Sequence, residues 1–386
     1  MRGLADRPLS TPPVAVCAPN AFKGTLSARA AATAVALGAG AAGARALAVP
    51  VADGGDGTLD VLLGASAESG VTRHRVTGPN GTPVSARLGR LATGAAVVEL
   101  AEASGLRLVQ PGDLDALHAT SRGTGELIRL ALDAGCKRIV VGVGGSACTD
   151  GGAGLLQALG ARLTDSRGSE IGPGGAGLED LETIDLSDVH PALARCSIEV
   201  ACDIRSPLLG AEGPARMFAA QKGANPAAVG RLERALEHLV AVVAAAGHRE
   251  AAGLPGAGAA GGCGFGLAVI GARLMPGAKL VCDMVGLDAA LADASIAITG
   301  EGRLDDQTRT GKAPAEVAVR ARALGVSCVA ICGTVVDPLP DLFDAAISLD
   351  RFDPGVDPRR HPRALLRRAA ARVTREALGA LPNRPA

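Results

Sequence analysis

The sequence predicts an α/β protein of two domains: a Rossmann-like parallel-sheet domain built from both ends of the chain, and an inserted mixed α/β domain. Three observations predict it. Short apolar runs alternate with Ala-rich helical stretches at both ends, hairpin patterns break that alternation in between, and 386 residues suffice for two domains of ordinary size. The expected division is 1–75 with 285–386, and 76–284.

Met1 to Pro13 carries charge and three prolines but no apolar core, so it reads as a loose tail and not as a signal peptide. Val14 to Ala18, Ser27 to Gly43 and Leu47 to Ala52 then read as strand, helix and strand, a βαβ opening. From Val71 to Leu100 three Val- and Thr-bearing runs are split by Gly78-Pro79-Asn80-Gly81 and by Thr93-Gly94, which predicts antiparallel hairpins. Helix and strand return at Ser121 to Gly135 and Arg138 to Val143, and a helix is expected from Pro226 to Ala246. Ser295 to Thr299, Pro314 to Leu324 and Ser327 to Cys332 make a second βαβ unit. Near the end, Arg359 to Arg375 is arginine-rich with Leu365, Leu366 and Val373 at helical spacing, the pattern of a terminal helix with a solvated face.

Composition excludes several functions. Apolar residues make up 48% and charged residues 20%, with 39 basic against 39 acidic side chains, so no basic field exists to hold nucleic acid. No apolar run reaches the ~18 residues of a membrane helix, which leaves the cytoplasm as the expected location. Five Phe and no Trp or Tyr leave little for aromatic stacking, so the ligand is expected to be small and polar. Nine cysteines without a Cys-x-x-Cys spacing point to small buried hydrophobes, not to structural zinc or disulfides.

Many of the 53 glycines gather at 53–57, 142–154, 172–177, 253–266 and 300–311, more than packing alone is expected to need. Only five basic residues are lysine, and Lys23, Lys222 and Lys312 each adjoin a glycine, where a compact ammonium suits a phosphate. Asn20 to Ser27 follows the first strand, which puts Lys23 at a strand's carboxyl end, with Thr25 and Ser27 reading as helix caps. Asp53-Gly54-Gly55-Asp56-Gly57 offers two carboxylates for Mg²⁺ or for base catalysis, Asp56 being the expected cap. Val140 to Gly152 is a strand running into glycines: Gly144 and Gly145 can cradle phosphate on amides, Ser146 or Thr149 can add a hydroxyl, and Asp150 can hold a metal or take a proton. Asp203 follows another strand, and Glu301, Arg303 and Asp305 cluster before Gly311-Lys312. A crevice ringed by such acids beside glycine loops is what Mg²⁺-nucleotide and a hydroxylated substrate require.

Common motifs fail. A P-loop around Gly311-Lys312 needs glycine and a hydroxyl where Asp306 and Ala313 stand. Gly142-x-Gly144-x-x-Ala147 follows a strand and keeps a nucleotide-dependent oxidoreductase open, although Thr149-Asp150-Gly151-Gly152 interrupts the helix such a site needs. A non-catalytic phosphometabolite-binding protein is the third reading.

The series APNAFKGTLSA, PVADGGDGT, ELAEASGL, TSRGTGELI, VVGVGGSACTDGGAG, ACDIRSPLLG, AAQKGA, GAAGGCGFGL and TGEGRLDDQTRTGK, colinear over roughly 14 to 350, resembles the type-1 glycerate kinases of bacteria. That resemblance implies two α/β domains with the active site in the cleft between them, ATP and Mg²⁺ as donor, and D-glycerate as acceptor, with 2-phosphoglycerate the expected product. It also implies a cytoplasmic monomer or homodimer with no nucleic-acid or membrane partner. Relatives carry an aspartate where this chain has Asn20, which cannot act as a base, and often an asparagine where it has Thr149. The expected roles are therefore Asp53 as base; Asp53 and Asp203 toward Mg²⁺ or the attacking hydroxyl; Lys23 as a catalytic cation. Gly144, Gly145, Ser146, Asp150, Lys222, Glu301, Arg303 and Lys312 are expected to bind substrate and phosphate.

Overall fold

The computed structural model describes residues 12–203, 205–305, 311–336 and 341–380. The expected tail therefore lies almost wholly outside the described residues, as do the middle of TGEGRLDDQTRTGK and Asp306 of the P-loop comparison. The chain divides into two compact units, Met1–Val51 with Val285–Ala386, and Ala52–Met284. The expected break near 75 falls within the strand Gly70–Thr77, because the helix Thr58–Gly64 packs on the strands Pro83–Arg90 and Ala96–Glu99 of the second unit.

The first unit holds a five-stranded sheet, all parallel, in the order Ala345–Ser348, Ser327–Cys332, Ala294–Thr299, Val14–Cys17, Arg45–Ala48. Its central strands are continuous apolar runs, as burial on both faces demands, and the second strand begins two residues before the expected Leu47. The helices Ala28–Ala41 and Pro362–Ala380 bury Ala31, Val35, Leu365, Leu366 and Val373 against Ala15, Cys17, Ile296 and Ile298. The terminal helix thus turns the three predicted residues inward. From Val14–Cys17 the chain moves to one neighbour first and returns on the other side, so the loops after Val14–Cys17 and Ala294–Thr299 open at a topological switch point.

The second unit holds a six-stranded sheet in the order Arg273–Pro276, Ser197–Cys202, Arg138–Gly142, Ala96–Glu99, Pro83–Arg90, Gly70–Thr77. The last three form the predicted antiparallel pairs and the first four run parallel. One core cluster packs Leu127, Ile128 and Leu155 on Ile139 and Val141 of the sheet, and another gathers Leu156, Leu232, Leu236 and Leu239 among helices away from the sheet strands. Among the described residues no helix is long and apolar enough to cross a membrane.

Two helices of the first unit meet at Gly38, where an added Cβ would sit 2.2 Å from the Arg367 carbonyl. Gly38→Val is expected to cost about 2 kcal/mol by overpacking, read as a lower urea midpoint at unchanged slope.

Candidate functional site

The second unit places its candidate residues at the carboxyl ends of its parallel strands. After Arg138–Gly142 the chain does not enter a helix directly; the helix Ala153–Ala158 begins only beyond a loop that ends in Gly152 at φ +80°. The continuous strand-to-helix turn of a dinucleotide site is absent here.

Most of the glycines in this loop and its neighbours are packing residues, contrary to the expectation from their number. A Cβ on Gly144 would lie 2.3 Å from Gly55 Cα, one on Gly54 2.3 Å from Ala201 O, one on Gly261 2.1 Å from Cys148 O, and one on Gly277 2.1 Å from Asp53 O. Backbone meets backbone at these points, and Gly144 N–H donates to Gly54 O at 3.0 Å. The Asp53–Gly57 segment is thereby seated on the ends of Arg138–Gly142 and Ser197–Cys202, although it follows the edge strand of the other sheet in sequence.

What remains is a loop with donors to spare. Among the described residues, the amides of Gly145, Ser146, Cys148, Thr149 and Asp150 donate to no group of the chain, whereas Gly144 and Ala147 are spent on Gly54 O and Ser104 O. Such N–H groups, on the exposed Gly145 and the buried Ser146 to Asp150, can offer donors to an anion. Lys222 closes the loop from below. Its Nζ donates to Ser146 Oγ at 3.0 Å, Cys148 O at 2.5 Å and Thr149 Oγ1 at 3.3 Å, and burial pushes its pKa below that of an ordinary lysine, partly countered by Cys148, Cys263 and Asp150 nearby.

Asp150 is placed differently from the metal or proton role expected of it. Its fully buried carboxylate accepts from Ser121 N at 2.8 Å, Ser121 Oγ at 2.8 Å, Gly152 N at 3.1 Å and Gly154 N at 3.3 Å. It thus joins the starts of the helices Arg122–Asp133 and Ala153–Ala158. Asp150, Cys148 and Cys263 stand within 4.8 Å of one another, but soft sulfur beside an ammonium is not a site for Mg²⁺. Asp53 and Asp203 offer the harder donors. Asp53 is half-buried and takes Gly55 N–H at 3.3 Å, and Asp203 is exposed, taking Arg205 N–H at 3.0 Å.

Asp56 does not cap its helix. Glu99 does so instead, from across the sheet, accepting from Gly57 N at 3.1 Å and Leu59 N at 2.9 Å. Burial raises its pKa against those two donors, with Asp56 adding to the rise. Glu99, Glu102, Ser104 and Ser121 support the site and were not singled out from sequence. Their one legible signal was an acid or hydroxyl at the end of an apolar run.

In the first unit the switch-point loops carry the other candidates. Asn20 N–H donates to Gly300 O at 2.8 Å and Thr299 Oγ1 to Ala18 O at 2.8 Å, which ties the two loops together. Lys23 is exposed on a turn closed by Phe22 N–H to Leu26 O at 2.9 Å. Ser27 caps the following helix through Ala30 N–H at 3.2 Å, whereas the Thr25 hydroxyl donates to Phe22 O and closes the turn. Glu301 is buried in the neighbouring loop. Asp305 draws Arg303 to 3.3 Å and Lys312 to 3.8 Å. Lys312 stands at the first end of the helix Ala313–Ala323, where a cation opposes the helix dipole and an anion relieves that opposition.

Two α/β units with glycine-loop amides, ammonium groups and carboxylates at strand ends define a phosphate-handling enzyme. Comparison with known proteins gives the family. The model of the glycerate kinase family matches residues 15–378. Glycerate 2-kinase of Escherichia coli strain K12 is 44% identical over 327 residues, covering 83% of this chain and 85% of that protein. Glycerate kinase of Bacillus subtilis strain 168 is 43% identical over 324 residues, covering 83% and 85%. A crystal structure from Salmonella typhimurium LT2, assigned as glycerate kinase 2, superposes with a TM-score of 0.83 at 40% identity, over 96% of this chain and 100% of that one. The chain belongs to the glycerate kinase family and is a kinase.

Glu102 accepts from Arg87 N at 3.1 Å and from the Arg87 and Arg107 guanidiniums, three residues before Gly105, which bridges to Ser146. Burial alone would raise its pKa, but Arg87 and Arg107 outweigh that and bring it down to about 2. A depressed carboxyl contributes stability above its unfolded value, lost as pH falls through the folded one. Glu102→Gln is therefore expected to be less stable than the parent at pH 7, with the gap closing as pH falls from about 4.5 to about 2 in urea melts.

Proposed function

We propose that the chain catalyses transfer of the terminal phosphoryl group of ATP to the 2-hydroxyl of D-glycerate, giving 2-phosphoglycerate and ADP. The cradle of five unpaired amides at Gly145, Ser146, Cys148, Thr149 and Asp150 carries this reading. Fixed N–H donors suit the oxygens of a transferring phosphoryl group, whose charge grows during transfer. The name glycerate 2-kinase of the Escherichia coli relative supports the position of phosphorylation.

Mg²⁺ fits the hard, solvent-reaching oxygens of Asp53 and Asp203 and does not fit the buried sulfur-lined trio. When bound, the ion supplies positive charge to the phosphates. Asp53 is the proposed base, accepting the proton of the attacking hydroxyl at its carboxylate. Asn20 cannot do this, since its amide has no site for that proton at neutral pH. Gly144 and Gly145 bring the loop's backbone up to the phosphates, Ser146 adds a hydroxyl donor, and Asp150 keeps the loop's shape. Lys23, Arg303 and Lys312 neutralise phosphate or the glycerate carboxylate, and Glu301 orients a hydroxyl. Cations on side chains that reach solvent can follow the substrate without a desolvation cost.

Two experiments test this. D-glycerate and ATP in a coupled assay are expected to yield a product that enolase alone consumes; a product needing phosphoglycerate mutase first would place the phosphate on the 3-hydroxyl. Asp53→Asn is expected to lower turnover by about two orders of magnitude or more, within the range of a lost general base, at an unchanged melting temperature. Near-normal turnover would remove Asp53 from the mechanism.

A further inference from the structure

We infer that Lys222 is a positioning residue that shapes and charges the anion loop from beneath, and that it does not touch the phosphate; this rests on the reading that the loop 144–152 holds the phosphates of ATP. An ammonium has three N–H bonds. Here all three point at acceptors, Ser146 Oγ, Cys148 O and Thr149 Oγ1, at 3.0, 2.5 and 3.3 Å, and the residue is only 2% exposed. No donor is left for a ligand. The sequence reading of Lys222 as a direct phosphate contact is replaced by one acting through the loop.

The contacts explain the loop's shape. By gathering the Cys148 carbonyl and two hydroxyls onto one point, the ammonium holds the Ser146–Thr149 stretch against itself through Cys148 O and two side chains. The amides of Ser146, Cys148 and Thr149 are left unspent. Each hydroxyl that accepts from Nζ keeps its own O–H to donate, and is polarised toward donating by the charge behind it. Ser146 and Thr149 thereby relay the lysine's charge outward.

The charge itself is uncompensated. Among the described residues no carboxylate stands within ion-pair distance of Lys222. The acid that acts on it, Asp150, has its oxygens committed to Ser121, Gly152 and Gly154. The other titratable groups facing it are the Cys148 and Cys263 thiols, and burial together with the Cys148 thiol holds Cys263 protonated. A buried unpaired cation is costly, and an anion seated on the loop offsets that cost. The lysine's own backbone is held by local structure. Gly223 turns the chain at φ +97° against Leu114, and Asn225 then caps the helix Pro226–Ala245 through Ala228 N–H at 2.9 Å. A guanidinium cannot reproduce three radial donors on one nitrogen, which accounts for lysine at this position in a chain whose basic residues are otherwise nearly all arginine.

The test uses the whole chain and inorganic tripolyphosphate, titrated by calorimetry, so that binding is read without turnover. Lys222→Met is expected to bind at least about 30-fold more weakly, the scale of lost hydrogen bonds to a charged group, with Lys222→Arg within about threefold of it. Val243→Ala, a core truncation away from the loop, is expected to lower the melting temperature while binding stays within about twofold, which separates positioning from general destabilisation. In the glycerate assay Lys222→Met is expected to lower kcat/KM for ATP at least about 30-fold, with part of the loss in kcat because the loop amides meet charge that grows during transfer. Unchanged tripolyphosphate binding in Lys222→Met, or full recovery in Lys222→Arg, overturns the inference. If Lys222→Met does not fold, Thr149→Val carries the test, with about fivefold weaker binding expected and unchanged binding overturning it. A wild-type chain that binds tripolyphosphate but leaves glycerate unphosphorylated sinks the kinase reading and not this one.

Discussion

The second unit depends on backbone approaching backbone at the carboxyl ends of its parallel strands. Gly54 on Ala201, Gly144 on Gly55, Gly277 on Asp53 and Gly261 on Cys148 leave no room for a β-carbon. Because these contacts use backbone in place of side chains, five stretches from distant parts of the sequence are stacked within a few ångströms. The polar groups of this unit stand on that stack: carboxylates on Asp53 and Asp203, amides of Gly145, Ser146, Cys148, Thr149 and Asp150, and hydroxyls on Ser146 and Thr149. The same constraint uses up some amides, such as that of Gly144, and by exclusion defines which ones stay available.

Burial then divides the charged residues into two kinds. Glu99, Glu102 and Asp150 are buried and accept from backbone, serine or arginine donors, and the buried Lys222 donates to a carbonyl and two hydroxyls, so they hold loops in place. Lys23, Asp203 and Arg303 are exposed and Asp53 is half-buried. Desolvation draws this line, since a charge that must change partners during a reaction cannot already be surrounded by fixed ones. In Asp150 a residue that reads in sequence as a metal or proton site becomes a joint between two helix starts.

The first unit reaches a similar end by a simpler route. An all-parallel sheet with its switch point beside Val14–Cys17 brings the Asn20–Ser27 and Gly300–Asp305 loops together. The cations there are surface groups grouped around Asp305, with Lys312 set against a helix dipole.

Legible in the residue order were the features set by local chemistry. The apolar runs became strands, Gly78 to Gly81 became a hairpin turn, and Leu365, Leu366 and Val373 became the inner face of the last helix. What the order of residues could not carry was partnership across long separations. That Asp53–Gly57 seats on strands some ninety and a hundred and fifty residues later, that Glu99 and not Asp56 caps a helix, and that Lys222 faces inward are outcomes of packing. The reason is physical: a side chain's role follows from whether water or fixed donors surround it, and that is settled only when the strands are brought side by side.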